Sequence, residues 1–519
     1  MKTIFFAPMR LAPPPEKRSQ PLLKMLWELT WLQWAFFWVG WLAWTCDALD
    51  FFSVSVSVPA LSKQFNRETS AIVCTLRLPV SECRQRLTEM RVQTQAITLT
   101  LLFRSVGAVL FGIFSDRFGR KWPLVFNLLL VAVLQLGAGF VQTFRQFLAL
   151  RSLFGIGMGG IWGLATSTSL ENLPVELRGV ASGVLQEGYA FGNLLAAVIS
   201  LKLVPEVAPN WRALFWTASG ISVFGAFLRS LLPESEAFLK ARRAAEAHGT
   251  VSEAQKTRVF IRETNAMLKK HWMLCIYAIL LLTGFNFLAH GSQDLYPTYV
   301  QENKGLSAHA SVVATIIGNC GAIAGGAVAG WASQFLGRRI TIVLCEILTG
   351  VFIPLWIIPN NFPALAAGAF CIQFGVQGAW GVIPIHLTEM APPAFRATFP
   401  GVAYQIGNMI SSAAAQIEAT GGDHLKTVVN GKVVPDYGKV QGILIGAVAA
   451  FVILITIIGP AENHSSHFEK HRVAFDERGA GENAFIDDDE GVLSNSRRPD
   501  SEKASEERVS TEKPQIAAA

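Results

Sequence analysis

GIFSDRFGRK, residues 112–121, returns in altered form as GWASQFLGRR, residues 330–339. Subtracting 112 from 330 gives an offset of 218, and the same offset carries Gly119, Arg120 and Lys121 onto Gly337, Arg338 and Arg339. It also takes Gly160 to Gly378, Gly163 to Gly381, Glu171 to Glu389, Pro174 to Pro392 and Arg178 to Arg396. Matches held at one spacing over this length make the chain two parallel copies of one unit.

Composition says what medium those copies fold in. The 519 residues are 51% hydrophobic, 11% aromatic and only 16% charged, far more apolar than a soluble globular protein. Runs of about 20 apolar residues, long enough to cross about 30 Å of hydrocarbon as a helix, recur along most of the chain. In the first half they start near Trp31, Ala96, Trp122, Gln146, Arg178 and Trp211, and in the second near His271, Ala310, Ile340, Phe362, Phe395 and Val440. The expected fold is an all-α membrane protein of twelve transmembrane helices in two pseudo-symmetric six-helix halves. Parallel halves of this size imply a transporter that rocks one half against the other around a central site. Buried helices of a large soluble enzyme would need polar faces that most of these segments lack.

The expected organisation is a cytoplasmic N-terminal tail (1–30), a first six-helix half (31–232), a cytoplasmic central loop (233–270), a second half (271–460) and a disordered cytoplasmic tail (461–519). Lys2, Arg10, Lys17, Arg18 and Lys24 precede the first span, whose approach has no apolar core long enough for a cleaved signal peptide. The central loop is also basic, with Arg242, Arg243, Arg258, Arg262, Lys269 and Lys270 among its cations, so positive charge places it and the N-terminus in the cytoplasm, and an even number of spans brings the tail back to the same side. The tail is too polar to bury a core of its own. It reads as a solvated end, with phosphorylation or ubiquitin attachment and trafficking machinery as the sharper alternative. Residues 62–95 form an atypical extracellular loop, since Lys63, Arg67, Arg77, Arg84, Arg86 and Arg91 oppose the charge bias of an outer segment. The hypothesis is that part of Thr69–Val92 is a gene-model artefact, which a transcript encoding the whole stretch would disprove. Cys74 and Cys83 lie there and make no disulfide framework. Cys46, Cys275, Cys320, Cys345 and Cys371 fall in apolar spans as packing residues.

The repeated motif concerns gating. Gly112 lets two helices approach, Asp116 is placed to accept hydrogen bonds from a helix N-terminus or to pair with a base, and Arg117, Arg120 and Lys121 bring positive charge to the membrane face. Glu171 with Arg178, and Glu389 with Arg396, add a second set of charges beside Arg338 and Arg339. Charges that merely fix topology are the plainer reading. The pattern G-x3-D-R-x-G-R-K resembles the signature loop of the major facilitator superfamily. In the second copy Gln334 replaces the acid and Phe335 the first arginine, so that copy is expected to gate more weakly.

Ionisable residues inside spans cost about 2.5–3.5 kcal/mol each at the bilayer centre, so each is a functional candidate. They are Asp47, Asp50, Arg104, Glu187, His290, Asp294 and Glu346, of which only Arg104 is a permanent cation. Arg104 either meets an anion, whose carboxylate its planar fork matches, or stands in a static ion pair with Asp47, Asp50 or Glu187. With more acids than bases, at least one carboxyl is expected neutral or alternating, the form that proton coupling takes in a sequence. Asp47 and Asp50 share a face and either hold a proton between them or stabilise Arg104. Arg151 is expected to brace the inner leaflet, and the glycines of span four (Gly155, Gly157, Gly159, Gly160, Gly163) to pack helices closely.

Span seven holds the most specific stretch, NFLAHGSQDLYPT, residues 286–298. At about 100° per residue Asn286, His290 and Gln293 share one face, with Asp294 and Pro297 beside it. Such a stripe must face water or protein, never lipid. It resembles the N-x-x-[S/T]-H-x-[S/T]-Q-D-x-x-x-T motif of the fungal Jen family of carboxylate:proton symporters. Ala289 departs, standing where the family has Ser or Thr. Further resemblance lies in DALDFF (47–52), LLFRSVGAVLFGIFSDRFGRKW (101–122), LQEGYAFGN (185–193) and FRATFPGVAYQIGNMISS (395–412).

That resemblance implies plasma-membrane import of short carboxylates such as lactate and pyruvate, or dicarboxylates such as succinate and malate, with protons. It implies that His290 and Asp294 act in proton coupling and affinity, that Asn286 and Gln293 line the site, that Arg104 holds the carboxylate, and that Gln405 and Asn408 contribute from span eleven. A structural histidine bonded to Asp294 is the plainer reading of His290. A transporter-like nutrient sensor signalling through its tail is the alternative function. No nucleophile-base set, metal-spaced cluster or phosphate-binding loop stands in the sequence, so neither enzyme nor cofactor is expected. The net charge of +6 sits in membrane-flanking loops, which disfavours nucleic acid.

Overall fold

In a computed structural model, residues 22–65, 100–204, 211–235, 253–392, 395–429 and 432–462 are described, with a few isolated positions besides. The expectations placed on the tail, on Thr69–Val92 and on Cys74 and Cys83 lie outside the described residues.

The first half contains α1 (Leu22–Trp27), α2 (Trp31–Phe65), α3 (100–118), α4 (Lys121–Ala138), α5 (Phe144–Gly159) continuing into α6 (Ile161–Leu170), α7 (Arg178–Lys202) and α8 (Arg212–Leu231). The second contains α9 (Glu253–Gln293), α10 (Tyr296–Glu302), α11 (Ala308–Leu336), α12 (Arg338–Ile357) and α13 (Phe362–Met390). It continues through α14 (Thr398–Ser411), α15 (Ala414–His424), an antiparallel hairpin of β1 (Lys426–Val429) and β2 (Lys432–Pro435), and α16 (Tyr437–Ile458). With α5–α6 and α14–α15 each one crossing, and α9 crossing from its bend at His271, each half has six spans.

Eight of these helices are long and apolar enough to cross a membrane by composition alone. The other crossings, α2, α3, α7 and α14–α15, carry Asp47, Asp50, Arg104, Glu187, Gln405 and Asn408. Their polar content is what the site needs, and it lowers their hydropathy. Large apolar side chains such as Phe126, Val133, Phe224 and Val351 are exposed around the perimeter, where lipid is their solvent. Cys320 belongs to this outer surface; it is exposed and does not pack as the sequence suggested.

The repeated motif makes the same turn twice. Gly119 (φ 101°) leads from α3 into α4, and Gly337 (φ 95°) from α11 into α12, a left-handed backbone that favours glycine. An acid at the end of each half closes each turn. Glu234 accepts from the backbone N–H groups of Arg120 (2.9 Å) and Lys121 (3.0 Å). Glu462 accepts likewise from Arg338 (2.9 Å) and Arg339 (2.7 Å). Each carboxylate thus satisfies otherwise orphaned donors at the positive end of a helix.

The halves meet along α7 with α11 and α13, and along α6 with α14. Small residues set the approach. A Cβ on Gly330 would lie 2.9 Å from the Cα of Gly183, and one on Gly381 3.2 Å from that same Cα. Within the first half, α5 presses so tightly on α3 that a Cβ on Gly159 would meet backbone atoms of Arg104 and Ala108. The close-packing role expected for the span-four glycines is seen there.

Candidate functional site

Two constellations lie between the halves: a lock beside the repeated motif and a polar chamber farther along the same seam.

At the lock, Asp116 on α3 reaches across to the second half. It accepts from the backbone N–H of Ala397 (3.4 Å) and Thr398 (3.0 Å) and from the Thr398 hydroxyl (2.5 Å), at the N-terminus of α14. Arg120 stands 3.4 Å from Asp116 and donates to Glu171 at 3.0 Å. In the second copy Gln334 donates from its amide to the carbonyls of Val175 (3.2 Å) and Glu176 (3.0 Å), while Arg338 grips Glu389 with two bonds of 3.1 Å. The first copy therefore crosses the seam with a charged acceptor and the second with a neutral donor. Arg178 turns its Nε to the Leu173 carbonyl (3.0 Å), and Arg396 is buried among Glu171, Arg178 and Arg120. Arg117 lies over Phe118 and Lys121 over Trp122. Arg339 donates to the carbonyls of Thr456 and Ile457, tying α12 to the end of α16.

The chamber takes Phe51 from α2, Leu101 and Arg104 from α3, and Gln186 and Tyr189 from α7. From the second half come Asn286, Ala289 and His290 on α9, Gln377 and Trp380 on α13, and Tyr404 and Asn408 on α14. Of the sequence-predicted substrate contacts, Arg104, Asn286, His290 and Asn408 are on its wall. Ala289 is there too, so the hydroxyl missing from the motif is missing at the wall itself.

Each half brings one acid–base pair to this space. Arg104 donates from Nη2 to Asp47 Oδ2 at 2.7 Å, both side chains buried, which decides among the partners the sequence left open. His290 stands with Nδ1 3.1 Å from Asp294 Oδ2 and Nε2 3.0 Å from Asn408 Oδ1. The Asn408 amide nitrogen in turn donates to Gln405 Oε1 at 3.4 Å, which orients its oxygen toward the ring. Both ring partners then present oxygen to the ring, an arrangement that accommodates a doubly protonated imidazole paired with Asp294.

Gln293 and Gln405 stand behind the wall. Gln293 donates to Gln373 of α13 at 2.9 Å, and Gln405 braces Asn408. Glu187 is buried with Oε1 unpartnered and packs toward Gly326 of α11, away from the chamber lining. Asp47 and Asp50 do not share a site as a pair: Asp47 holds Arg104, whereas Asp50 accepts from Ser222 at 2.9 Å.

Two readings of the cations need correction. Arg151 does not brace the inner leaflet. It is buried on α5 near the end remote from the motif, donates to Gln135 at 3.1 Å and lies over the Phe154 ring. Gln135 bonds the Asp50 backbone carbonyl at 3.4 Å, so Arg151 is a second fixed cation inside the bundle, near Asp50. Arg104 is therefore not alone. The sequence reading also passed over Glu418, buried on α15 and bonded by Gln441 at 3.1 Å. It passed over Glu234 and Glu462 as well, although each follows a proline at the end of its half, as Pro233-Glu234 and Pro460-Ala461-Glu462.

Two halves of six helices, a charged lock and a chamber between them define a secondary transporter, and a family model of the Major Facilitator Superfamily matches residues 40–416. The chain belongs to that superfamily. Within it, the chain is 35% identical over 453 residues to the Carboxylic acid transporter protein homolog of Saccharomyces cerevisiae, covering 84% of this chain and 70% of that one. The Jen-type resemblance is borne out by this relative. The chain is also 28% identical over 334 residues to the Cis,cis-muconate transport protein of Acinetobacter baylyi, covering 63% and 78% of the two chains. Among solved structures, the human organic anion transporter MFSD10 shares the fold with a TM-score of 0.64 at 14% identity, covering 82% of this chain and 99% of that one. These relatives are transporters, not enzymes.

Proposed function

We propose that this protein carries short carboxylates across the plasma membrane by proton symport, with lactate and pyruvate as cargo. The observation that carries the reading is the charge balance of the chamber. Arg104 with Asp47 on one half and, with the imidazole protonated, His290 with Asp294 on the other form two ion pairs that are already neutral. An anion entering such a space adds an uncompensated charge in a low-dielectric setting, a cost that one accompanying proton removes. That proton is accepted by Asp47, which frees Arg104 for the substrate carboxylate, or by Asp294, which leaves His290 a free cation. Dicarboxylates such as succinate and malate would need a second proton. The relatives that carry carboxylic acids and muconate support the cargo class.

Alternating access follows from the lock. With Asp116 seated on the N-terminus of α14 the motif side is shut, and opening it means breaking those bonds and parting the glycine contacts. Glu187, buried against Gly326 near the seam, and Asp50, buried beside Arg151, complete the proposed proton-coupling set. The test is uptake of labelled lactate, over a range of external pH, in cells without carriers of their own. Acid-stimulated uptake, competed by pyruvate, is expected. Transport indifferent to pH, or confined to uncharged solutes, would overturn the proposal.

A further inference from the structure

The chamber has a second pole that the charge argument leaves unused. Tyr404 is 5% exposed, lines the chamber, and its hydroxyl has no hydrogen-bond partner among the described residues. Its ring is fixed by three tryptophans: Trp162 at 4.8 Å, Trp380 at 5.6 Å and Trp44 at 6.1 Å between centroids. The Arg104 guanidinium centre is 6.0 Å from that ring. Gln377, on the same wall one helical turn from Trp380, is also 5% exposed, and its amide likewise has no partner among the described residues.

A buried amide or phenol left unbonded costs about 1–3 kcal/mol, so two such groups turned into one chamber point to a ligand that completes them. Both are neutral and each offers a donor and an acceptor. They do not suit a second carboxylate, which calls for a cation, and they do not suit an alkyl group, which leaves them unpaired. They suit a hydroxyl or keto oxygen. We infer that Gln377 and Tyr404 form a recognition pocket for the neutral oxygen next to the carboxylate of a 2-hydroxy or 2-oxo acid, with the carboxylate on Arg104. This rests on the proposed carboxylate transport and deepens it. Arg104 and Tyr404 line the same chamber, with the guanidinium carbon 6.0 Å from the ring centre.

Lactate and propionate test this, because they differ by that one oxygen. The variants are Tyr404→Phe, which keeps the ring packing and removes only the hydroxyl, and Gln377→Leu, each assayed at measured surface level in whole cells. The expected result is a rise of roughly tenfold in KM for lactate with KM for propionate unchanged. Equal losses for both acids assign the residues to general architecture and overturn the inference, as does no loss for either. If Gln377→Leu fails to reach the surface, Tyr404→Phe decides alone. Wild-type protein that moves neither acid would instead sink the carboxylate reading itself.

Discussion

Arg104 and Asp47 are joined by one 2.7 Å bond, and the pair is left incomplete: Arg104 Nε and Asp47 Oδ1 have no partner among the described residues. A bidentate pair would satisfy both groups and lock them. This one holds the guanidinium in place while keeping part of its donor fork for a ligand. Asp47 therefore competes with substrate for the same cation. Asp47→Asn is expected to lower the KM for lactate and flatten the dependence of uptake on external pH, measured as initial rates at several pH values. Arg104→Lys keeps the charge but loses the fork, and is expected to raise KM without unfolding the protein. Arg104→Ala strands a buried carboxylate, at a cost of about 3–5 kcal/mol, and is expected to lower the surface level as well.

His290 depends on a chain of neighbours. Gln405 orients Asn408, Asn408 accepts from one ring nitrogen, and Asp294 accepts from the other. Replacing Asp294 with Asn removes the carboxylate bonded to the ring. The expected variant still exchanges labelled for unlabelled lactate across the membrane but no longer accumulates it against a gradient. Accumulation equal to wild type would show that the coupling proton does not reside on this pair.

The repeat, the number of spans and the face shared by Asn286 and His290 were legible in the sequence, because spacing along a helix fixes which side chains point together. Spacing does not say which helix lies opposite. Arg151, just before the span-four glycines, was expected to brace the inner leaflet, yet the packing of α5 on α4 buries it beside Gln135. Gln293 shares the stripe's face, but its amide is taken up by Gln373 of α13, a partner that spacing along α9 cannot name. Nothing in the spacing of Tyr404 or Gln377 singles them out, and only the convergence of α13 and α14 on the chamber puts them on one wall with Arg104.

Asp116 is expected to set the balance between the two orientations of the carrier. It accepts three bonds across the seam, and hydrogen bonds to a charged group contribute about 1.5–3 kcal/mol each. Asp116→Asn keeps the shape but loses the charge that faces the N-terminus of α14. Labelling of a cysteine introduced at Thr398 is expected to rise in a protein carrying Asp116→Asn, with a fall in uptake rate. Unchanged transport at unchanged surface expression would remove Asp116 from the gating set.

Gly112 offers a test of the seam that involves no charge. A Cβ there would stand 2.9 Å from the Thr398 Cα and 3.0 Å from its hydroxyl, so even alanine must push α14 back just where Asp116 binds it. Gly330 in the second copy meets Gly183 at the same 2.9 Å. Backbone atoms cannot rotate out of the way, and strain of this kind typically costs about 1–3 kcal/mol. If the halves must close on the motif side in every cycle, Gly112→Ala and Gly330→Ala should each cut the maximal uptake rate severalfold and leave the KM for lactate nearly unchanged, since neither touches the chamber. Gly220→Ala is the control, because nothing lies within 4 Å of its added methyl. A Gly112→Ala protein with normal rate but raised KM would place the strain at the substrate site and contradict a seam that acts by closing.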